Sequence, residues 1–384
     1  MLSAINSQGR KICLLNHCAH EISLLKKLEW FCPACHSPLI LKNGSIKQAH
    51  FAHISSDICE AYSENESEAH LTLKYQLAKW FQEQQNDCQI EYYLPALKQI
   101  PDLLINHRLA IEIQCSPLSI ERFNARTINY LSHGYQVIWL LGEKMRIKSK
   151  LTRLQFAMCS FSVHSGVFLW QIDQKALVLI EMLHISLNRS IYFQKQAFNF
   201  FQGLIMDHFR LPYQFHSNRL LVTLNQTKNK QVVCRGLYYA NPQWLSLQAL
   251  CYQNGLVLQN LTDDFYNPGI FPLFYQPIRF RIEIRRFLKK FRTFSELVMN
   301  FTDEFQTPIQ INHQLFISAL VAFELQCLMR QKILIINKNK FKVINNLNLQ
   351  ISTFEIQSPL QINQWLSKKV RDGERNEERK IIDS

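Results

Sequence analysis

Pro101-Asp102-Leu103-Leu104-Ile105-Asn106-His107-Arg108-Leu109-Ala110-Ile111-Glu112-Ile113-Gln114 is the stretch on which the reading of this chain turns. Two apolar runs, Leu103-Leu104-Ile105 and Leu109-Ala110-Ile111, flank Asn106-His107-Arg108, a pattern that predicts a hairpin of two short strands. Asp102 opens the first strand and Glu112 closes the second. Antiparallel pairing sets these acids opposite each other although they lie ten residues apart, within reach of one divalent cation. Two carboxylates that close repel each other unless a cation lies between them. The hairpin is therefore a candidate site for Mg²⁺ or Mn²⁺, hard cations that take oxygen donors, with Asp102 and Glu112 as ligands.

The flanks extend this into an α/β layer. Residues 63–85 read as a helix opened by Ser63 or Asn65, with Leu71, Leu73, Leu77, Ala78 and Phe81 on its apolar face. Residues 88–94 read as a strand and 119–133 as a helix closed by Gly134. Val137 to Leu141 is a continuous apolar run, as in strands buried on both faces. The expected organisation is a Cys/His block over 1–58, an α/β core over 59–150, a mostly α-helical basic region over 151–367 and a charged flexible tail over 368–384. Within the third part, 175–187, 192–209, 245–252 and 313–330 read as helices, and 333–343 as a hairpin.

A chain of 384 residues with 47% hydrophobic composition is long enough for two or three folded domains. Its net charge of +13 makes nucleic acid the leading polyanionic partner. A membrane partner is not expected, since residues 176–187 are interrupted by Glu181 and His184 and no run reaches membrane-spanning length. Eleven cysteines, scattered and odd in number, argue against a disulfide framework and for a reducing, cytoplasmic setting.

Cys32 and Cys35, spaced as a knuckle, followed by His50 and His53, offer the ligand set of a tetrahedral structural Zn²⁺ site. The two histidines equally suit packing or contact with DNA, and His17, Cys13 and Cys18 are possible substitutes for one ligand. On the predicted helix before the hairpin, His70 and Lys74 stand at i and i+4 near Glu68. Arg122, Arg126 and Tyr130 recur at four-residue spacing on the helix after it, a polar stripe suited either to phosphates or to surface ion pairs. The densest basic run, Arg279 to Arg292, is interleaved with Phe280, Phe287 and Phe291, which suits single-stranded DNA if the rings are exposed.

Taken in order, Cys32-Pro33-x-Cys35, His50-Phe51-Ala52-His53, Ser67-Glu68-x-His70-x-x-x-Lys74, Glu112-Ile113-Gln114-Cys115-Ser116, Arg126-Thr127-x-x-Tyr130 and Val137-Ile138-Trp139-Leu140-Leu141-Gly142 resemble the competence protein CoiA family. The hairpin resembles the PD-(D/E)XK nuclease superfamily. That resemblance implies a restriction-endonuclease-like core, a zinc-ribbon-like first block, and a metal-dependent DNA nuclease whose site takes in Glu68, Asp102, Glu112 and position 114. At the position where many relatives carry lysine this chain has Gln114, which can orient a water but supplies no charge; Lys74 is the candidate replacement. The family resemblance implies a role in natural transformation, acting on incoming single strands or recombination intermediates alongside the RecA recombinase. A non-catalytic DNA-binding recombination mediator on the same fold is the alternative.

Overall fold

The computed structural model describes residues 1–44, 49–54, 59, 67–162, 165–185, 191–214, 220–223, 226–262, 265, 276–337, 339–343 and 353–356. The first block is a small antiparallel sheet, β1 (Ser3–Ile5), β2 (Lys11–Cys13), β3 (Trp30–Phe31), β4 (Pro38–Lys42) and β5 (His50–His53), in the order β2-β1-β3-β4-β5, with α1 (Ala19–Leu25) between β2 and β3. Along β4, Leu39 and Leu41 turn inward and their neighbours outward, the period of two that a one-sided sheet requires. They pack with Met1, Trp30 and Phe51.

The second sheet holds the hairpin toward one edge, with only β6 outside it. Its elements are α2 (Glu68–Glu83), β6 (Cys88–Ile90), β7 (Leu103–Ile105), β8 (Leu109–Gln114), α3 (Ile120–Ser132), β9 (Gln136–Leu141), α4 (Arg153–Ala157), β10 (Ser160–Ser162), β11 (Gly166–Ile172), β12 (Ala176–Ile185) and β13 (Ile191–Asn199). The order is β13-β12-β11-β9-β8-β7-β6, with β10 on β11. β9 lies parallel to both β8 and β11, and the other pairs are antiparallel, so the sheet is mixed. Side chains alternate between its faces: Leu103, Ile105, Ile111 and Ile113 meet Leu71, Leu77 and Phe81 of α2, while Leu104 and Ala110 meet Tyr130 of α3. All six residues of β8 are buried, which fits a strand covered by a helix on each side.

Several expectations need correction. Within the stretches 175–187 and 192–209, expected as helices, residues 176–185 and 192–199 belong instead to the hairpin β12–β13, so the sheet runs past 150 to Asn199, while 205–209 are helical and 186–190 lie outside the described residues. A continuous apolar run does not distinguish a buried strand from a buried helix by periodicity. The Asp173 carboxylate accepts the backbone N–H of Lys175 and Ala176 at 2.8 and 3.0 Å and so turns the chain from β11 into β12. The helix expected from Ser63 or Asn65 begins instead at Glu68, because Ser67 caps it by accepting the N–H of His70; residues 60–66 lie outside the described residues. The strand expected over 88–94 stops at Ile90, where Glu91 enters the left-handed region at φ 49°. Gly134, at φ 80°, lies just past the last turn of α3, one position after the capping His133.

The remaining chain is largely helical: α5 (Ile205–Gln214), β14 (Leu220–Thr223), α6 (Gln226–Tyr238), α7 (Pro242–Gln253), α8 (Pro277–Phe287), β15 (Arg292–Thr293), α9 (Phe294–Thr302), α10 (His313–Arg330), β16 (Leu334–Asn337), β17 (Lys340–Val343) and β18 (Thr353–Ile356). α10 and the β16–β17 hairpin fall where the sequence placed them. Phe280 of α8 and Phe316, Leu320 and Phe323 of α10 join Trp139, Leu141 and Leu169 in one core against the α3 side of the sheet. Phe280 is thus a core residue and not a platform for bases. Arg281, from the same basic run, is buried as well, donating to Glu324 of α10 at 3.2 Å and to the Phe265 carbonyl at 3.1 Å. The tail over 368–384 lies outside the described residues.

Arg281→Ala leaves the Glu324 carboxylate buried without its cation, and destabilises the chain by about 3–5 kcal/mol. Urea unfolding of the variant beside the native chain measures it; a midpoint unchanged from native contradicts the pairing.

Candidate active site and metal centre

The turn at the tip of the hairpin puts Asn106 and His107 at φ 48° and 55°, the twist that suits a tight connection between antiparallel strands. Its register pairs Leu103 with Ile111, so the next pair outward is Asp102 and Glu112. Both acids are buried, with Gln114 beyond them. The expected juxtaposition is therefore present, and each acid is already held by the chain's own donors.

Asp102 is gripped from α2. Lys74 Nζ lies 2.8 Å from Oδ1 and His70 Nε2 lies 3.0 Å from Oδ2, which also accepts the Ile113 N–H at 2.8 Å. The i, i+4 spacing of His70 and Lys74 brings both to one carboxylate. Burial alone would raise the Asp102 pKa, but the positive charges and hydrogen bonds of His70 and Lys74 outweigh it and hold the carboxyl below its usual range. Glu112 is gripped from α3: the Tyr130 hydroxyl donates to Oε1 at 2.6 Å, and Arg126 Nη2 donates to the same oxygen and to the Ile100 carbonyl. Burial pushes the Glu112 carboxyl up; Arg126 and Tyr130 act against that rise and the Asp102 charge adds to it, leaving the group above its ordinary value.

These contacts redefine several expected roles. Tyr130 is fully buried, and Arg126 is turned inward onto Glu112, so neither faces solvent as a phosphate ligand would; the sequence shows the stripe but not the direction in which it points. Arg122 remains half-exposed one turn earlier. His70 contacts Asp102 and is only slightly exposed. Glu68 is exposed in the first turn of α2, about 200° around the helix from His70, and is not brought to the acid pair by that geometry. The Gln114 amide donates to the Ser116 carbonyl at 2.8 Å.

Sequence reasoning missed Glu91. Its Oε1 lies 2.7 Å from Lys74 Nζ, and its Oε2 accepts the backbone N–H groups of Leu2 and Ser3 at 2.7 and 2.8 Å. The Ser3 hydroxyl and Lys11 Nζ both donate to the Ile90 carbonyl, at 2.9 and 2.5 Å. One buried acid thus joins the first block to the lysine that holds Asp102. An acid inside a run read as a strand is the only trace of this in the sequence.

Among the described residues, Cys32, Cys35, His53 and Cys59 form the one group whose ligand atoms all lie within 4.8 Å of one another. Cys32 Sγ and Cys59 Sγ are 3.9 Å apart, and Cys35 Sγ and His53 Nε2 are 3.4 Å apart. A tetrahedral ion with ~2.3 Å bonds to sulfur has donor–donor edges of ~3.8 Å, so the set fits a metal. Burial raises the Cys32 thiol to about 12; for Cys35, hydrogen bonds from Ser37, His53 and Cys32 overcome burial and bring it down to about 6. The expected ligand His50 is not in the group. It stands three residues from His53 on β5, and successive strand residues alternate faces, so the two imidazoles cannot serve one site from a regular strand. Cys59 takes that place, and His17, Cys13 and Cys18 do not.

Residues 66–211 match the family described as competence protein CoiA, nuclease-like domain, and residues 14–62 match competence protein CoiA, N-terminal domain. The chain belongs to the CoiA family. Both centres lie inside the matched residues, as do β11 to β13. Competence protein CoiA of Bacillus subtilis (strain 168) is 34% identical over 127 residues, which is 32% of this chain and 34% of that relative. The match thus spans about a third of the relative's length. No solved structure matches, and no helix among the described residues is long and apolar enough to cross a membrane.

Cys59→Ser abolishes stoichiometric metal binding by the purified chain, whereas His50→Ala retains it; metal analysis after gel filtration reads both, and the reverse pattern would return His50 to the ligand set. Lys74→Met strands two buried carboxylates and lowers stability by about 3–5 kcal/mol. Because the folded Asp102 pKa is depressed, its contribution is fully present above the ordinary carboxylate value near 3.9 and is lost as pH falls below it. Lys74→Met therefore flattens the acid limb of stability relative to native, which urea midpoints taken from about pH 6 down to about pH 3 measure.

Proposed function

We propose that this chain is a cytoplasmic DNA-processing protein of natural transformation, and that its nuclease-like domain is a PD-(D/E)XK-type hydrolase of phosphodiester bonds in incoming DNA or recombination intermediates. The observation that carries this reading is Lys74 Nζ, 2.8 Å from Asp102 on the hairpin where Asp102 and Glu112 face each other. It supplies at the acid pair the positive charge that Gln114 lacks. Asp102 and Glu112 would hold Mg²⁺ or Mn²⁺; the fit rests on their hard oxygen donors and on Glu112 Oε2, which takes neither the Arg126 nor the Tyr130 bond. When bound, such an ion supplies polarisation of the scissile phosphate and a lowered pKa for the attacking water. The chain's own residues do the rest: Lys74, His70 and the Ile113 N–H hold and orient Asp102, and Arg126 and Tyr130 orient Glu112. The Cys32, Cys35, His53 and Cys59 centre holds structural Zn²⁺ in this reading, since three thiolates and an imidazole with no open position suit a closed site.

A second reading, a non-catalytic mediator working with the RecA recombinase, is favoured by one observation. Both carboxylates are already neutralised by Lys74, His70 and Arg126, so the pair is stable without an ion.

Labelled single strands, duplexes and D-loops incubated with Mg²⁺ or Mn²⁺ decide between the two. Cleavage by the native chain falls at least 100-fold in Asp102→Ala and Glu112→Ala if the hydrolase reading holds, the order of loss expected when one ligand of a catalytic metal goes. Binding without cleavage on all three substrates leaves the mediator.

A further inference from the structure

The two most exposed large apolar or aromatic side chains among the described residues are neighbours in sequence, Tyr238 at 84% and Tyr239 at 72%. Their rings lie 5.1 Å apart and nearly perpendicular, so each leaves a face open. They stand at the end of α6 on a rigid support. Gly236 lets α6 approach Trp244 of α7 so closely that an added Cβ would lie 2.0 Å from the indole, and Val233, Trp244, Leu247 and Cys251 form the core between the helices. The Tyr239 N–H donates to the Arg235 carbonyl and Ala240, at φ 49°, closes the turn, which fixes the tyrosine backbones.

The stripe of α6 leading to these rings is exposed and basic. Gln231, Cys234, Arg235 and Tyr238 follow the i, i+3, i+4, i+7 spacing of one helix face, and Lys230 precedes them; all five are exposed. Between Asp207 and Asp263 the sequence has no acidic residue, while Arg210, Arg219, Lys228, Lys230 and Arg235 fall in that interval. An ordinary surface mixes both signs of charge. A helix face carrying Lys230 and Arg235, in an interval of sequence without acids and ending in paired open tyrosines, has the two elements that bind single strands without sequence preference: cations for phosphates and rings for unpaired bases.

We infer that the α6 face of Lys230, Arg235, Tyr238 and Tyr239 is a binding site for single-stranded nucleic acid, with the tyrosines stacking on bases and the cations pairing with phosphates. This rests on the DNA-processing reading above and adds to it the strandedness of the substrate. None of these residues belongs to the acid pair or the metal centre. The face lies outside the matched family domains, which end at residue 211.

The test is fluorescence anisotropy of the full chain with labelled oligo(dT) and with a duplex of equal length. Replacing both tyrosines by leucine weakens oligo(dT) binding roughly tenfold or more and duplex binding less, while replacing both by phenylalanine, which keeps the rings, restores it. Lys230→Gln with Arg235→Gln lowers the salt dependence of single-strand binding by about 0.7 per charge removed in log–log slope. Leucine variants that bind oligo(dT) as tightly as the native chain overturn this site and leave the DNA-processing reading standing. A native chain that binds neither strand form overturns both. Loss of poly-glutamate binding in the leucine variants, with DNA binding unchanged, assigns the face to an acidic polypeptide and overturns the nucleic-acid site.

Discussion

The fold around the acid pair depends on one buried ammonium. Lys74 has no exposed surface and lies 2.7 Å from Glu91 and 2.8 Å from Asp102. A lysine placed in a core would discharge or move unless paired, and each carboxylate would in turn be intolerable without the lysine. The three groups are therefore fixed together although they come from α2, from the turn after β6 and from the start of β7. The constraint also explains the local backbone: a non-glycine residue at φ 49° is strained, and at Glu91 that conformation ends β6 where its carboxylate meets Lys74. Leu2 and Ser3 supply the remaining hydrogen bonds to Glu91, so the first block takes part in burying the charge.

The two acids of the hairpin share a position in the sheet and differ in electrostatics. Asp102 faces Lys74, His70 and a backbone N–H, and is held below the usual carboxylate range; Glu112 shares one oxygen between Arg126 and Tyr130 and is pushed the other way by burial and by Asp102 itself. Opposed environments of this kind let two carboxylates sit side by side without two unrelieved charges. The asymmetry comes from the helices, α2 reaching Asp102 with an ammonium and an imidazole four residues apart and α3 reaching Glu112 with a guanidinium and a phenol.

What was legible in the sequence was local. The hairpin, α3, β9 and α10 all announce themselves by turn residues, caps or period, and the opposition of Asp102 and Glu112 follows from counting across a three-residue turn. The pairing of His70 with Lys74 is a helix rule. Illegible were the features that depend on direction or on distant chain. Residues 176–185 are apolar enough for either a buried helix or a buried strand, and only pairing with β11 decides. Arg126 and Tyr130 read as a polar stripe, but whether a stripe faces solvent or the sheet is settled by Glu112 beneath it. Cys59 was not among the candidate ligands and His50 was, because the faces of β5 are known only once β5 is a strand.

The metal centre and the acid pair are joined by a short run of contacts. Cys32 directly follows β3; β3 pairs with β1 through Phe31 and Ile5; and the N–H groups of Leu2 and Ser3, at the head of β1, end on Glu91 and so on Lys74 and Asp102. A small block whose core is Met1, Trp30, Leu39, Leu41 and Phe51 has little apolar surface to bury, and four ligands closing on one ion would add folding free energy to it. At Glu91, the cost of desolvating a carboxylate is offset by the N–H groups of Leu2 and Ser3 from the same block. The burial of Glu91 thus depends on both the first block, through Leu2 and Ser3, and the α2 side, through Lys74, so a change on either side is felt at this carboxylate.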